Sequence, residues 1–342
     1  MYEDSTPAPP WRRKNRLLKQ RPVWTALTEA DRHLRLTDTP VGGWLTERYA
    51  VRADLDRLRA YDLTTGIVRW TRPLPAPHTL DTVSPDVDND TVLLLHFDDS
   101  SWHTDGRITA VDLTNGRQQW SRPLDPDITV HRSYGRPNTA LSARTGGAHA
   151  DDRHLIRFAP DTGTMQWRRP ALSKALLLST WVVSLEPLVV IVESPGPRVH
   201  QEIRVHDGAG ELTFRFRLPA PYTELNPPAL VLNGLLIAAM RRPERSGHTK
   251  RLAAVDLSTG KLRWEWRAGY DVVRDLTAHR GRLLVLHAAG HRVAALDPAT
   301  GNTVMRRFLW GDGGQLLRAA DTHFAVFNNA DARRPLRLFR WR

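Results

Sequence analysis

Short apolar runs recur along the chain: "TVLLLHF" at 91–97, "LVVIVES" at 188–194, "LLIAAM" at 235–240 and "RLLVLHA" at 282–288. Runs of this length, bounded by Asp, Asn, Gly and Pro, predict β-strands. A second pattern is laid over the first. "LRAYDLTTGIVRW" (58–70), "ITAVDLTNGRQQW" (108–120) and "AAVDLSTGKLRW" (253–264) share one form, an alternating strand, an Asp, a turn closed by Gly, and a strand carrying Trp. The anchor glycines are Gly66, Gly116, Gly163, Gly210, Gly260 and Gly301, at spacings of 50, 47, 47, 50 and 41 residues. That period is the length of one four-stranded propeller blade.

The chemistry of the phrase is structural. Glycine reaches φ > 0 without a Cβ clash, as a hairpin of three or four residues requires near its end. An Asp ahead of such a turn bonds the backbone amides that follow, and Asp62, Asp112, Asp256 and Asp297 hold that place. Trp70, Trp120, Trp167 and Trp264 occupy one position of the next strand, where a flat side chain covers the seam to a neighbouring blade. The fourth unit has a shorter turn and Phe214 for Trp, the third has Ala159 for Asp, and the sixth has Met305 for Trp.

Each unit supplies four strands, A to D from the axis outward. The second reads "TVSPDVD", "TVLLLHF", "RITAVDL" and "RQQWSRPL"; the third is least regular, with "ITVHRSY" and "TALSAR" as A and B. The C-terminus offers three strands, "QLLRAAD", "HFAVFNN" and "PLRLFRW", and no fourth. The N-terminal "RPVWTAL" reads as an orphan D strand, its Trp24 matching the anchor Trp. Pairing the two ends predicts an all-β, seven-bladed propeller, eight blades being the alternative, with the last blade closed by the N-terminal strand. Residues 1–20 are expected to be a flexible basic tail ("WRRKNRLLKQR", 11–21) and 21–342 one propeller domain.

"AVDLTNGRQQW" and "AAVDLSTGKLRW" resemble the repeat of the PQQ-like β-propellers, the superfamily of the quinoprotein dehydrogenases and of BamB-type assembly lipoproteins. The resemblance runs from about residue 21 to the end and implies the fold, not a function. The quinoprotein alcohol dehydrogenases are larger, eight-bladed and exported, and hold their cofactor with an adjacent cysteine pair. This chain has no Cys, so quinone catalysis is not expected and no cofactor is assigned.

Composition narrows the partners. The net charge is +12, but only five of the 49 basic residues are Lys, and the basic residues are scattered among 37 acidic ones. Without a basic stripe, nucleic acid is not expected as the main partner. No apolar stretch reaches the length of about 18 residues that spans a membrane. No apolar h-region follows the basic N-terminal residues, and without Cys there is no lipobox, so a cytoplasmic location is expected.

Function is expected on the B–C and D–A connections, which share one face of a propeller. "FDDSSWHTDGR" (97–107) and "GGAHADDRH" (146–154) carry Asp98, Asp99, Asp105, Asp151 and Asp152. "RRPERSGHTK" (241–250) and "NADARRP" (329–335) carry Arg241, Arg242, Arg245, Lys250, Arg333 and Arg334. A rim acidic on one side and basic on the other suits a protein partner with an acidic surface. The alternative is a small-molecule site, or a cofactor-free cyclase or isomerase, in the central funnel, with His131, Tyr134 and Tyr222 as candidates. His96 and His103, and His287 and His291, flank short connections, but two imidazoles fall short of the three or four ligands zinc needs, so no metal is assigned. No G-x-S-x-G, H-E-x-x-H or P-loop motif occurs. The reading is a non-enzymatic scaffold.

Overall fold

The computed structural model describes residues 19–20, 22–26 and 40–341, apart from 75–77, 99–105, 125–138, 143, 145, 151–153, 171–178, 195–199, 245–246, 268–272, 288–289, 310–312, 321 and 329–334. Its strands form seven sheets in a β-propeller arrangement, with no helix among the described residues. Six sheets are plain four-stranded blades, where the sequence predicts seven. The remaining sheet, built on Asp275–His279, Arg282–His287, Arg292–Leu296 and Thr303–Leu309, gains a fifth strand because Lys19–Gln20 runs parallel beside Phe308–Leu309. The expected tail therefore ends in a strand pairing.

In the order of the chain, the first five sheets begin with Gly42–Leu45, His78–Val83, Thr139–Ser142, Ser179–Leu185 and Glu224–Leu232 as innermost strands. The seventh sheet combines Leu316–Ala319, His323–Phe327 and Leu336–Arg340 with an outermost strand from the other chain end. There Trp24–Ala26 runs antiparallel to Leu336–Arg340, with Trp24 opposite Leu338.

The core explains the unbroken apolar runs. It divides into seven clusters, each shared by two adjacent sheets, and the series returns from the seventh sheet to the first through Ala50, Tyr61, Phe327 and Leu338. Successive strand residues point to opposite faces. Val92 and Leu94 thus pack toward the first sheet while Leu93 and Leu95 pack toward the third. Strands covered on both faces have no polar side to alternate with.

The repeated phrase builds a contact between neighbouring sheets. The Oδ1 atom of Asp256 accepts hydrogen bonds from the amides of Ser258 and Thr259, and Gly260 N donates to the Asp256 carbonyl at 2.8 Å. Asp62 and Asp297 bond their turns in the same way. Ala159 has no carboxylate, yet the backbone bond from Gly163 N to Ala159 O closes the same turn at 2.9 Å. Each anchor glycine lies under an aromatic ring of the preceding outer strand: Gly66 under Trp24, Gly116 under Trp70, Gly163 under Trp120, Gly210 under Trp167 and Gly301 under Trp264. Gly260 is covered by Phe216, not by Phe214, which is partly exposed. Met305 has no such glycine to cover. The next sheet receives its outer strand from the N-terminus and lacks the hairpin, and Met305 packs instead on a cluster containing Phe324 and Phe339.

Two innermost strands differ from expectation. In the second sheet the strand is His78–Val83, which shares only Thr82 and Val83 with "TVSPDVD". In the third, Thr139–Ser142 is innermost and Gly146–Ala150 comes next, so "TALSAR" moves inward by one place, and "ITVHRSY" lies outside the described residues.

Removing the ring from a seam is expected to be costly. Trp264→Ala should lower unfolding stability by about 3–5 kcal/mol, the usual range for a buried Trp, as read by denaturant titration. Gly301→Ala should also destabilise, since φ is +72° and a Cβ would sit 2.6 Å from the Trp264 ring. The Thr65 amide holds the Asp62 carboxyl below the ordinary carboxylate value, and the Ser258 hydroxyl and amide do the same for Asp256. Their contribution is full above the unfolded-state value of about 4 and is lost as pH falls through the depressed values. Thermal melts across pH 2–6 should therefore show a weaker acid dependence in a combined Asp62→Ala, Asp256→Ala variant.

Candidate functional site

At one end of every sheet the second strand passes to the third, and the outer strand passes to the next innermost strand. Most of the buried polar side chains among the described residues gather toward this loop face, including Arg52, Asp54, Gln201, Asp275, Asn328 and Arg337. Several span a seam. Arg52 in the first sheet bonds Asp54 through Nε at 2.6 Å, and its Nη1 donates to the carbonyls of Asn328 and Pro335 in the seventh. Those two residues bracket the connection that carries Arg333 and Arg334. Arg337 Nη2 reaches the Asn328 side chain at 3.3 Å.

Asp275 joins the sixth and seventh sheets. Its Oδ2 accepts from Leu317 N at 2.7 Å and from Arg318 Nη1 at 2.8 Å. Burial pushes this carboxyl above its ordinary range, against the opposing pull of Arg318 and the backbone amides. Gln201 joins the fourth and fifth sheets, bonding both the amide and the carbonyl of Leu225 as well as Glu193. These groups tie the rim, since Arg52, Asp275 and Gln201 each bond a group of the neighbouring sheet.

His96 belongs to a polar row within the second sheet. Its Nε2 meets Thr109 Oγ1 at 2.8 Å, and Thr109 meets Ser121 at 2.9 Å. Burial, with His78 and Arg107 alongside, brings the His96 value down to about 4, so the ring is neutral at pH 7. His287 packs edge-on against Trp266 and His291 stacks on Phe308, so each ring of that pair has an aromatic neighbour. Among the described residues no group of three or more metal-binding side chains converges.

The expected basic loop at 241–250 is a projecting hairpin. Leu235–Glu244 and Gly247–Asp256 are ten-residue strands, paired out to Glu244 opposite Gly247. The innermost strand accompanies them only as far as Arg241, opposite Glu224, and the outer strand only as far as Leu252, opposite Trp266. Beyond those points the two strands form an arm. Pro243 lies on the inner edge, where it removes a donor and discourages indiscriminate strand addition. A ribbon that runs past both neighbouring strands needs no apolar alternation, so its charged sequence reads as a loop.

At the base of the arm, Arg241 pairs with Glu224 at 3.2 Å and Arg242 with Glu265 at 3.3 Å. Tyr222 donates its hydroxyl to Glu265 Oε2 at 2.6 Å. Its ring is buried among residues of the fourth and fifth sheets and does not line a funnel. Burial and the bond to Glu265 raise the phenol above its ordinary value, so the hydroxyl stays protonated.

The acidic side is less fully described. Asp98 ends the strand Thr91–Asp98, opposite His78, and is half-buried. Gly146–Ala150 is a strand and not part of a loop. Asp99, Asp105, Asp151, Asp152, Arg245, Arg333, Arg334, His103, His131 and Tyr134 lie outside the described residues, and Lys250 is placed by its strand position opposite Arg241. Sequence reasoning missed the buried Arg52 and Arg337. Their signal is an Arg inside a strand of small or apolar residues, "YAVRA" and "LRLFR".

A family model described as outer membrane protein assembly factor BamB matches residues 19–170 and 227–333. Among solved structures, BamB from Moraxella catarrhalis is 12% identical, covers 92% of this chain and 100% of its own, and superposes with a TM-score of 0.51. Raptor from Chaetomium thermophilum is 12% identical over 96% of this chain and 29% of its own, with a TM-score of 0.59. The computationally designed Ika8 protein is 10% identical over 95% and 100%, with a TM-score of 0.54. At these identities the likeness is one of fold. No curated protein sequence matches the chain.

Breaking the Arg52 contact leaves Asp54 and two carbonyls buried without their donor. Arg52→Met is expected to cost about 3–5 kcal/mol, as a half-broken buried ion pair does, measured by denaturant unfolding.

Proposed function

Because the chain belongs to the BamB-type family of PQQ-like repeat proteins, we propose that it is a non-enzymatic β-propeller scaffold that binds a protein partner through its loop face. The seven sheets are read as seven blades of one ring, the five-stranded sheet being a blade with an added strand. The arm at 241–250 carries this reading. It is a regular two-stranded extension beyond its own blade, whose segment carries one acid, Glu244, and four basic residues, Arg241 and Arg242 paired at the base with Glu224 and Glu265, and Arg245 and Lys250 further out in the sequence. Such an arm offers an acidic partner surface both an extended contact and electrostatic steering.

The rim around it supports a platform, since Arg52, Gln201 and Asp275 are committed to groups across the seams. Tyr222 bonded to Glu265 and Asp275 bonded to Arg318 are holding groups without a free proton to exchange. A small-molecule reaction in the funnel therefore draws no support from the described residues. The cytoplasmic location expected from the sequence belongs to the same proposal, and cell fractionation tests it.

Arg242→Glu would face Glu265, so the cleaner variant is Arg245→Glu with Lys250→Glu. Affinity purification from the native host should recover a stoichiometric protein with the wild type and lose most of it with the double variant, while the melting temperature stays unchanged. Unaltered recovery, or a co-purifying metabolite in place of a protein, would overturn the proposal.

A further inference from the structure

The outer strands of the seven sheets carry ten arginines and a single acid, Glu265. Ten arginines against one glutamate leave these strands at +9, while the whole chain carries +12. The sequence shows no basic stripe because these residues arrive one or two to a unit, and only the fold gathers the units around one circumference.

Three of these charges are balanced at the hairpin turns, Arg69 by Asp62, Arg169 by Glu211 and Arg263 by Asp256. Arg72, Arg122, Arg215, Arg217, Arg306 and Arg307 form no ion pair among the described residues. Arg122 donates to the Thr162 carbonyl and Arg306 to the Thr303 hydroxyl, and neither acceptor cancels the charge.

The fourth sheet concentrates the pattern in its outer strand, Leu212–Arg217, which reads "LTFRFR". Arg215 stands opposite Arg204 of the third strand, and Arg217 opposite Glu202. Opposite side chains share a face of the sheet, and like charges placed so are destabilising. In the other six sheets no arginine of the outer strand faces an arginine of the third. Glu202 pairs with Arg204 at 2.5 Å, so three guanidinium groups share this face with one committed carboxylate. The alternate positions, Phe214 and Phe216, point to the other face, with ring centroids 5.6 Å apart. Phe216 covers Gly260, whereas Phe214 is 36% exposed, the one aromatic among the exposed large apolar side chains of the described residues. Neither the facing arginines nor the exposed ring is needed to build a blade, because the other sheets form without them.

We infer that this strand edge binds single-stranded nucleic acid. A polynucleotide laid along the outer edge meets Phe214 on one side, where an unpaired base stacks, and Arg215 and Arg217 on the other, where phosphates pair. The arginines of the neighbouring outer strands continue the path around the circumference. The exposed ring selects this ligand, since a duplex hides the faces of its bases. A membrane is a plane and touches only part of a ring whose arginines face outward on every side. The edge is separate from the arm at 241–250, and the inference stands independently of the proposed protein contact.

Fluorescence anisotropy of the full chain with labelled oligouridylate and oligothymidylate of about 20 nucleotides, longer than the site of a single domain, tests this. At least one should bind saturably at about 0.1 M salt, with the logarithm of affinity falling linearly against the logarithm of salt concentration. Tighter binding of oligouridylate identifies RNA as the source, and tighter binding of oligothymidylate identifies DNA. Arg215→Gln with Arg217→Gln should lose about tenfold in affinity and flatten the salt slope by about 1.4, as two lost phosphate contacts require. The pair relieves a like-charge contact, so the melting temperature should not fall. Phe214→Ala should lose at least about fivefold in affinity and leave the salt slope unchanged. If Phe214→Ala melts early, Phe214→Leu, which keeps apolar bulk without an aromatic face, takes its place in the comparison. Absence of saturable binding, equal binding of a duplex of the same length, unchanged affinity in either folded variant, or binding to phosphatidylserine vesicles in place of the oligonucleotides would overturn the inference.

Discussion

Burial of every sheet on both faces is the constraint from which the rest of the structure follows. A sheet with apolar side chains on both sides needs a neighbour on each, and a row of such sheets always leaves two faces bare. Closing the row into a ring removes both at once. Here the closing seam is made by Ala50 and Tyr61 of the first sheet against Phe327, Leu336 and Leu338 of the seventh. The seventh sheet is itself completed by the opposite chain end, Trp24–Ala26 on Leu336–Arg340. Arg52 fastens the same junction from the loop face. The two ends of the chain are consequently the one place where the ring depends on pairing between segments more than three hundred residues apart.

The two faces are held by different chemistry. On the hairpin face, an aromatic ring lies on the glycine turn of the next unit, and its indole often bonds that turn as well: Trp24 Nε1 to Leu63 O, Trp167 Nε1 to Gly208 O and Trp264 Nε1 to Pro298 O. On the loop face three seams are tied by a buried amide, carboxylate or guanidinium group, a different one at each. The repetitive solution permits little variation. The irregular one leaves the connections free to differ, which is why a long arm at 241–250 is compatible with an intact blade.

How much of this was legible in the sequence follows from the range of each interaction. The Asp–Gly turn and its aromatic are set within a dozen residues, so their period is visible in the chain and gives the sheet arrangement. The pairing of Trp24 with the C-terminal strand was also legible, since both ends carry incomplete copies of one unit. Groups whose partners lie in another sheet were not. Arg52 and Arg337 give no local sign that their acceptors are in the closing junction, and Tyr222 gives none that its hydroxyl belongs to Glu265. Phe216 displaced Phe214 for a similar reason: the glycine that selects between them lies in the next unit. The arm was misread because strand pairing outside a core needs no apolar alternation.

Departures from the repeat are the most informative positions, provided that the scaffold is asked first to account for them. Met305 is accounted for, because the sheet it faces has no hairpin glycine to cover. Ala159 is accounted for as well, because the backbone closes its turn without the carboxylate. His206 is accounted for by its bond to the Gly210 carbonyl within the short turn of the fourth unit. Arg157 is a different kind of departure, a guanidinium opposite Trp167 where four other units place a methyl group opposite the anchor. In a molecule built by repetition, a costly substitution that the architecture does not require marks a place where something other than the architecture sets the residue.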